Sequence, residues 1–187
     1  YAQFPFGSDL EGMESADNVA ETDGVVQLYS AFGTRDQADE SFELRTTYDL
    51  GRTATHEVGH FFGLRHIWGD GRCKQDDFVA DTPSSDGPNY GCPSFPTVNC
   101  RSTDMTMNYM DYVDDGCMNM YTTGQKNRMR TLVDAGGFRA SLLTSNGCGA
   151  PAPPTCTDGI QNGDEEGVDC GGSNCTPCVS GCDGDTE

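Results

Sequence analysis

Hydrophobic and polar positions follow a regular pattern in only a few segments of the chain. Residues 23–32 (DGVVQLYSAF) are rich in side chains that favour β-structure and precede Gly33, which predicts a strand. Residues 52–64 carry a helical pattern and predict a helix. Residues 69–108 have little periodicity and many turn residues, so we expect a long irregular region there, held by disulfides and metal.

A second helix is predicted after residue 122. Thr122 and Gln125 have the spacing of a capping box, in which two side chains satisfy backbone N–H groups of the first helical turn. The pattern continues through Val133, and Gly136 and Gly137 end it. We expect this helix to pack in the core.

All three histidines of the chain lie within eleven residues, HEVGHFFGLRH. A helix places His56 and His60 on one face, where both imidazoles can bind one Zn²⁺, and Glu57 lies on the same turn. Gly63 lets the chain leave the helix sharply, so that His66 can return as a third ligand. Three protein ligands leave the fourth position open, as in catalytic zinc sites, where the pKa of a coordinated water falls from about 15.7 to about 7.

The bare pattern His-Glu-x-x-His also occurs by chance in helices. The alternative interpretation is therefore a solvated helix whose histidines have no function. That interpretation leaves Gly63 and His66 unexplained, so the full pattern favours zinc.

The extended pattern His-Glu-x-x-His-x-x-Gly-x-x-His is the metzincin signature, and a turn containing a methionine is expected downstream of it. Over roughly residues 1–145 the chain resembles the pappalysin family of metzincin metalloproteases. The segments that carry the resemblance occur in the family's order: residues 54–70 (ATHEVGHFFGLRHIWGD), 76–83 (DDFVADTP), 91–93 (GCP) and 107–117 (MNYMDYVDDGC).

The resemblance implies an α+β fold, a metzincin-like zincin catalytic domain with a long irregular, disulfide-tied C-terminal subdomain. Only 55 residues precede His56, so we expect the N-terminal sheet subdomain to be incomplete. We assign residues 1–147 to the catalytic domain, 148–155 to a linker and 156–187 to a small acidic, Cys-rich module.

The resemblance also implies roles for individual residues. His56, His60 and His66 are the expected zinc ligands, and Glu57 is the expected general base and acid of a secreted endopeptidase. Met110 is the expected Met-turn residue, and Tyr112 is expected to donate a hydrogen bond to the tetrahedral intermediate. A packed aromatic side chain without a catalytic role is the alternative for Tyr112.

A structural calcium site is implied in the acidic loop after Cys73. Asp77 and Thr82 are the candidate ligands, together with backbone carbonyls near Asp76 and Ala80. A solvated acidic loop remains the alternative.

Two further acids follow the Met-turn, in the stretch that lines the pocket for the substrate residue after the scissile bond in metzincins. A carboxylate of Asp114 or Asp115 in that pocket would favour Arg or Lys in the substrate. Alternatively, both side chains face water.

Ten cysteines in 187 residues indicate an oxidising compartment, and hence secretion. The family resemblance implies the pairs Cys73–Cys100 and Cys92–Cys117. In the C-terminal module, Cys175 and Cys178 have the spacing of a zinc knuckle or a redox pair, although structural disulfides are favoured among so many cysteines. Asp158, Asn162 and Asp164 can bind Ca²⁺, but Ile160 breaks the EF-hand pattern.

The net charge of −19 argues against nucleic acid and against an anionic membrane surface as partners, whereas it is compatible with basic substrates and with Ca²⁺. No apolar run reaches the length of a membrane span. The chain starts at Tyr1, so we expect an export signal to have been removed. The oligomeric state stays open.

Three functions are therefore considered. The first is a secreted zinc endopeptidase acting on proteins or peptides. The second is a catalytically impaired zinc- and calcium-containing binding or adhesion protein. The third is a Cys-rich, calcium-binding interaction module for which the metalloprotease part is a scaffold.

Overall fold

The computed structural model divides the chain into two units, Tyr1–Thr144 and Ser145–Glu187. It describes Ala2, Glu11 and residues 23–37, 43–145, 156–157, 159, 165–173 and 175–178. The predicted linker, residues 148–155, lies outside the described residues, as do the candidate calcium ligands Asp158, Asn162 and Asp164.

Helix α1, Arg52–Phe61, carries the first two histidines. It begins after Gly51, whose backbone is left-handed (φ 75°), and it ends three residues before the predicted position. The reason is Gly63: with φ 82° it allows the Leu64 N–H to donate to the Gly59 carbonyl at 3.0 Å, while its own N–H donates to the His60 carbonyl at 2.8 Å. These two hydrogen bonds form a Schellman motif.

The predicted strand at residues 23–32 is wrong. Within it, Val25 forms one isolated bridge with Ala2, and Tyr29–Ala31 forms a short 3-10 helix. Val26, Leu28 and Tyr29 are exposed, Tyr29 by 75%. A strand requires a partner and a covered face, so β-propensity alone does not form one.

The region after α1 is irregular, as predicted, apart from a hairpin of two very short antiparallel strands, β1 (Val98–Asn99) and β2 (Ser102–Thr103). Cys73–Cys100 and Cys92–Cys117 are both formed, the pairs that the resemblance implies. Among the described residues of the C-terminal unit, Cys156 pairs with Cys175 and Cys170 with Cys178. Cys175 and Cys178 therefore form neither a zinc knuckle nor a redox pair with each other.

Helix α2, Thr123–Val133, begins at the predicted capping box. The Thr122 hydroxyl accepts from the Gln125 N–H at 3.0 Å, and the Gln125 side chain accepts from the Thr122 N–H at 2.9 Å. Partly buried Met129 of α2 packs, with Met105 and Tyr121, against the core cluster that lies beside the histidines: Leu64, Ile67, Trp68 and Met110. Among the described residues, no helix has the length and apolar character needed to span a bilayer.

Candidate metal centre

Three imidazole nitrogens converge at the end of α1. The Nε2 atom of His60 lies 3.1 Å from Nε2 of His56 and 3.1 Å from Nε2 of His66. Ligands of a tetrahedral zinc with Zn–N bonds of about 2.0–2.1 Å stand about 3.3 Å apart. The spacing of these nitrogens therefore suits one zinc ion, and the three residues form a group able to hold a metal.

The other ring nitrogen of each histidine, Nδ1, forms a hydrogen bond with an oxygen atom. The Nδ1–H of His56 donates to the Tyr109 carbonyl at 2.6 Å, and that of His60 donates to the Leu64 carbonyl at 2.7 Å. The Nδ1–H of His66 donates to the Asp70 carboxylate. We assign the proton to Nδ1 because its partners only accept, which leaves each Nε2 lone pair for the metal.

Burial and the repulsion of neighbouring histidines keep the imidazoles of His56 and His60 neutral. Burial, followed by the neighbouring histidines, lowers the pKa of His56 to about 3, and burial followed by His66 lowers the pKa of His60 to about 4. Burial acts to raise the pKa of Asp70, but its hydrogen bond with His66 and the charges of His66 and Arg65 outweigh burial and lower it. Neutral imidazole is the form that binds metal.

Met110 lies fully buried beneath this cluster, where the resemblance expects the Met-turn methionine. A β-carbon built on Gly59 would stand 2.5 Å from Sδ of Met110 and 2.9 Å from the Tyr121 hydroxyl. The glycine between the two helical histidines therefore makes room for the thioether.

Glu57 and Tyr112 share a cavity with the three histidines. The cavity encloses about 330 Å³ and is also lined by Ala2 and Asp70. Tyr112 is 37% exposed, and its ring centroid lies 5.5 Å from that of His56 and 4.8 Å from that of His66. Burial and the nearby charges of Asp70 and Glu57 raise the pKa of Tyr112, so its hydroxyl keeps the proton that it can donate.

A second cavity of about 300 Å³ shares His56, Glu57 and Tyr112 with the first. Asp115 lines it, whereas Asp114 does not. Asp115 is 1% exposed; its Oδ2 accepts from the N–H groups of Leu50 and Arg52 at 2.9 and 3.1 Å, and its Oδ1 has no hydrogen-bond partner. The two candidate pocket acids therefore lie in different surroundings.

Oxygen atoms also converge in the acidic loop. The Thr82 hydroxyl lies 2.8 Å from both carboxylate oxygens of Asp77 and 2.6 Å from the Val79 carbonyl. Asp77 is buried, and burial raises its pKa to about 6 against the opposing effect of its hydrogen bonds. The side chains of Asp76 and Ala80 are exposed.

Sequence reasoning missed two contacts of this centre. Asp70 follows His66 by four residues, and an acid so close to a third ligand was an available signal. The bonds from the N–H groups of Leu50 and Arg52 to Asp115 had no signal, because they span 65 and 63 residues.

Comparison with known proteins agrees with this geometry. The family model described as pregnancy-associated plasma protein-A, a peptidase family, matches residues 16–134. The structure of mature mirolysin from Tannerella forsythia, in complex with a cleaved peptide, superposes with a TM-score of 0.63 at 50% identity, covering 76% of this chain and 50% of that one.

Curated relatives include an extracellular metalloprotease of Arthroderma benhamiae, 49% identical over 87 residues, and extracellular metalloprotease 1 of Coccidioides posadasii, 48% identical over 86 residues. These matches cover 45% and 46% of this chain, and 32% and 31% of the relatives. The chain thus spans about half of mirolysin and about a third of the curated relatives. With a mirolysin-like metzincin fold and a family match over most of its length, the chain belongs to the pappalysin family of metzincin peptidases.

Proposed function

We propose that this protein is a secreted, zinc-dependent endopeptidase. The observation that carries the proposal is the convergence of three imidazole nitrogens in a cavity that Glu57 and Tyr112 also line. The extracellular names of the relatives and the disulfides support secretion. The relatives' names do not favour the impaired binding protein or the interaction module.

In the proposed mechanism, His56, His60 and His66 hold the zinc through Nε2. When bound, zinc acts as a Lewis acid and supplies a nucleophilic water at neutral pH. Glu57 accepts a proton from the attacking water and passes it to the nitrogen of the leaving amine, so water and the peptide bond become a carboxylic acid and an amine. The protonated Tyr112 hydroxyl donates to the oxygen that gains negative charge.

Replacing Glu57 by Gln tests this assignment. Because glutamine cannot carry the proton, we expect peptide hydrolysis to fall by about 10²–10⁴-fold while zinc content stays at one ion per chain. Glu43→Gln, an exposed site, is the matched control and should keep full activity. Undiminished hydrolysis by the zinc-loaded Glu57→Gln protein would contradict the mechanism.

We further propose that Asp115 favours Arg or Lys after the scissile bond. Asp115 lines the second cavity, and its buried Oδ1 has no hydrogen-bond partner, so a basic side chain that enters the cavity can form a charge-assisted hydrogen bond with it. Asp115→Asn should reduce the ratio of kcat/KM for basic over apolar residues at that position by about tenfold, whereas Asp114→Asn should leave the ratio unchanged. Equal ratios in a peptide library for Asp115→Asn and the unaltered protein would reject the proposal.

Finally, we propose that the acidic loop binds a structural Ca²⁺. The Thr82 hydroxyl has one hydrogen but faces three close oxygens, and a hard cation would relieve that crowding. Adding Ca²⁺ to chelator-treated protein should raise its melting temperature, and Asp77→Asn should abolish the rise. Asp76→Asn keeps its backbone carbonyl and should preserve the rise; no rise in the unaltered protein would refute the site.

A further inference from the structure

The three rings of the metal centre are not held alike. Neutral backbone carbonyls of Tyr109 and Leu64 accept from His56 and His60, both of which are buried on α1. The third ring, His66, lies beyond the helix and donates instead to the carboxylate of Asp70. It is thus the one ligand of the three whose outer partner is a charged side chain.

The turn after His66 brings Asp70 back to the ring. Gly69 and Asp70 both have left-handed backbones, with φ of 63° and 61°, and the Gly69 N–H donates to the His66 carbonyl at 2.8 Å. A β-carbon at Gly69 would lie 2.7 Å from the backbone nitrogen of Asp76, so the turn packs tightly against the following loop. Aspartate is one of the few non-glycine residues that adopt the left-handed conformation readily, so the turn suits the residue at position 70.

Two further contacts fix the pair. The indole of Trp68 stacks on the His66 ring with centroids 4.3 Å apart and planes 5° apart, which restricts rotation of the imidazole. Arg65 Nε lies 3.5 Å from Oδ2 of Asp70 and favours the ionised carboxylate.

We propose that Asp70 is a positioning residue for the third zinc ligand. By accepting the Nδ1 proton of His66 it fixes the tautomer that exposes Nε2, and its negative charge makes that nitrogen a better electron donor to the metal. The inference rests on the proposed zinc function and adds a determinant of zinc affinity that lies outside the ligand set.

The test compares Asp70→Asn and Asp70→Ala with Asp134→Asn, a control that removes the same charge from an exposed site after α2. Asparagine keeps an acceptor oxygen and tolerates the left-handed backbone, whereas alanine removes both charge and acceptor. The side chain of Asp70 is 36% exposed, so neither variant opens the core. Zinc dissociation constants are measured by competition with a chromophoric chelator, and Co²⁺ absorption spectra report ligand geometry.

We expect Asp70→Asn to weaken zinc binding about tenfold and Asp70→Ala up to about 100-fold, with altered Co²⁺ spectra. Without metal, Asp70→Asn should have the same melting temperature as the unaltered chain. Asp134→Asn should match the unaltered chain in every measurement. Zinc affinities within twofold of the control for both Asp70 variants would overturn the inference, as would a lower melting temperature of metal-free Asp70→Asn. Failure of the unaltered chain to bind zinc would instead contradict the proposed function itself.

Discussion

Gly59 leaves space for other side chains beneath the candidate metal centre because it has no side chain of its own. It lies on α1 between His56 and His60, and the space of its missing β-carbon is filled by the Met110 thioether and the Tyr121 hydroxyl. Met110 is fully buried and cannot move aside without disturbing the core cluster. A small residue at this position therefore sets how closely α1 approaches the Met-turn.

Gly59→Ala should consequently lower the free energy of unfolding by about 1–3 kcal/mol, the usual cost of overpacking a core. In the double variant with Met110→Ala, the free energy of unfolding should fall by less than the sum of the two single decreases, because the shortened side chain at position 110 leaves room for the new β-carbon. Gly87→Ala, where a β-carbon meets nothing within 4 Å, is the control for urea unfolding. Strictly additive losses would show that the two positions do not compete for space.

Asp111 shows, at the residue scale, how burial changes the pKa of a carboxyl group. It is fully buried, and burial raises the pKa of its carboxyl although the N–H groups of Asn89 and Tyr112 donate to it at 2.8 Å. Asp104, which also accepts from the Asn89 side chain, adds repulsion. The folded state therefore binds the Asp111 proton more tightly than the unfolded state does.

The resulting pH dependence has a definite sign. A raised pKa contributes stability that is complete below the ordinary aspartate pKa of about 3.9 and is lost as pH rises through the folded-state value. The unfolding free energy of the protein minus that of Asp111→Asn should thus fall as pH rises from the ordinary aspartate pKa of about 3.9 through the folded-state value, because asparagine does not titrate. Urea unfolding across this range measures the difference, and a flat or rising difference would contradict the assignment.

Among single residues, the proximity of His56, His60 and Glu57 was predictable because local helical geometry determines which side chains meet, and Gly63 signalled the turn that returns His66 to them. The hydrogen bonds of Asp115 with the Arg52 N–H and of the Tyr109 carbonyl with His56 were not predictable, since each joins residues more than 50 positions apart. Such contacts arise from tertiary packing, which periodicity does not encode.

At the scale of elements, α1 depends on other parts of the chain at both ends. No side chain of its own caps the N-terminus, and Asp115 accepts the Arg52 N–H instead. At the other end, Arg139 Nε donates to the Phe61 carbonyl and Arg128 Nε to the Gly63 carbonyl, both at 2.8 Å. A carboxylate at the N-terminus and guanidinium groups at the C-terminus both match the helix dipole.

Gly63 is the element-scale residue on which the third ligand depends. Gly63→Ala should cost about 1–2 kcal/mol of stability, because a β-carbon is disfavoured at φ 82°, and should also weaken zinc binding by displacing His66. Gly136→Ala, at φ 85° after α2 and with open space for a β-carbon, should lose similar stability but keep zinc affinity. Equal zinc affinities for both variants would show that the Schellman turn does not affect metal binding.

The two helices were predictable from periodicity and capping, whereas the strand at residues 23–32 was not correctly predicted. In the capping box, Thr122 and Gln125 lie within one turn, so the signal is local. Val25, in contrast, pairs only with Ala2 among the described residues, and the value of β-propensity depends on such distant partners.

At the scale of the whole molecule, disulfides compensate for the scarcity of regular structure between α1 and α2. Cys73–Cys100 and Cys92–Cys117 close loops with sequence separations of 27 and 25 residues. A loop of that size corresponds to about 3.5 kcal/mol of lost unfolded-state entropy per disulfide. The family resemblance anticipated this pairing, which spacing alone leaves open.

Replacing Cys73 and Cys100 together by Ser should therefore lower the unfolding free energy by about 2–5 kcal/mol, because the unfolded chain regains its freedom. Ser94→Ala, an exposed site enclosed by the same loop, controls for local substitution and should change stability little. Differential scanning calorimetry under oxidising conditions measures the effect. An unchanged melting temperature in the double variant would mean that the disulfide does not constrain the unfolded chain.

The two contacts of Asp115 limit which substitutions the protein can accept at this position. Oδ2 accepts the first N–H of α1 and the residue also lines the second cavity, so replacing Asp115 to alter the proposed cleavage preference would also weaken the anchoring of the helix that carries His56 and His60. Selection for a new cleavage preference would then require compensating changes near Leu50 and Arg52. Laboratory evolution for a new cleavage preference should therefore recover a substitution of Asp115 together with one near Leu50 or Arg52.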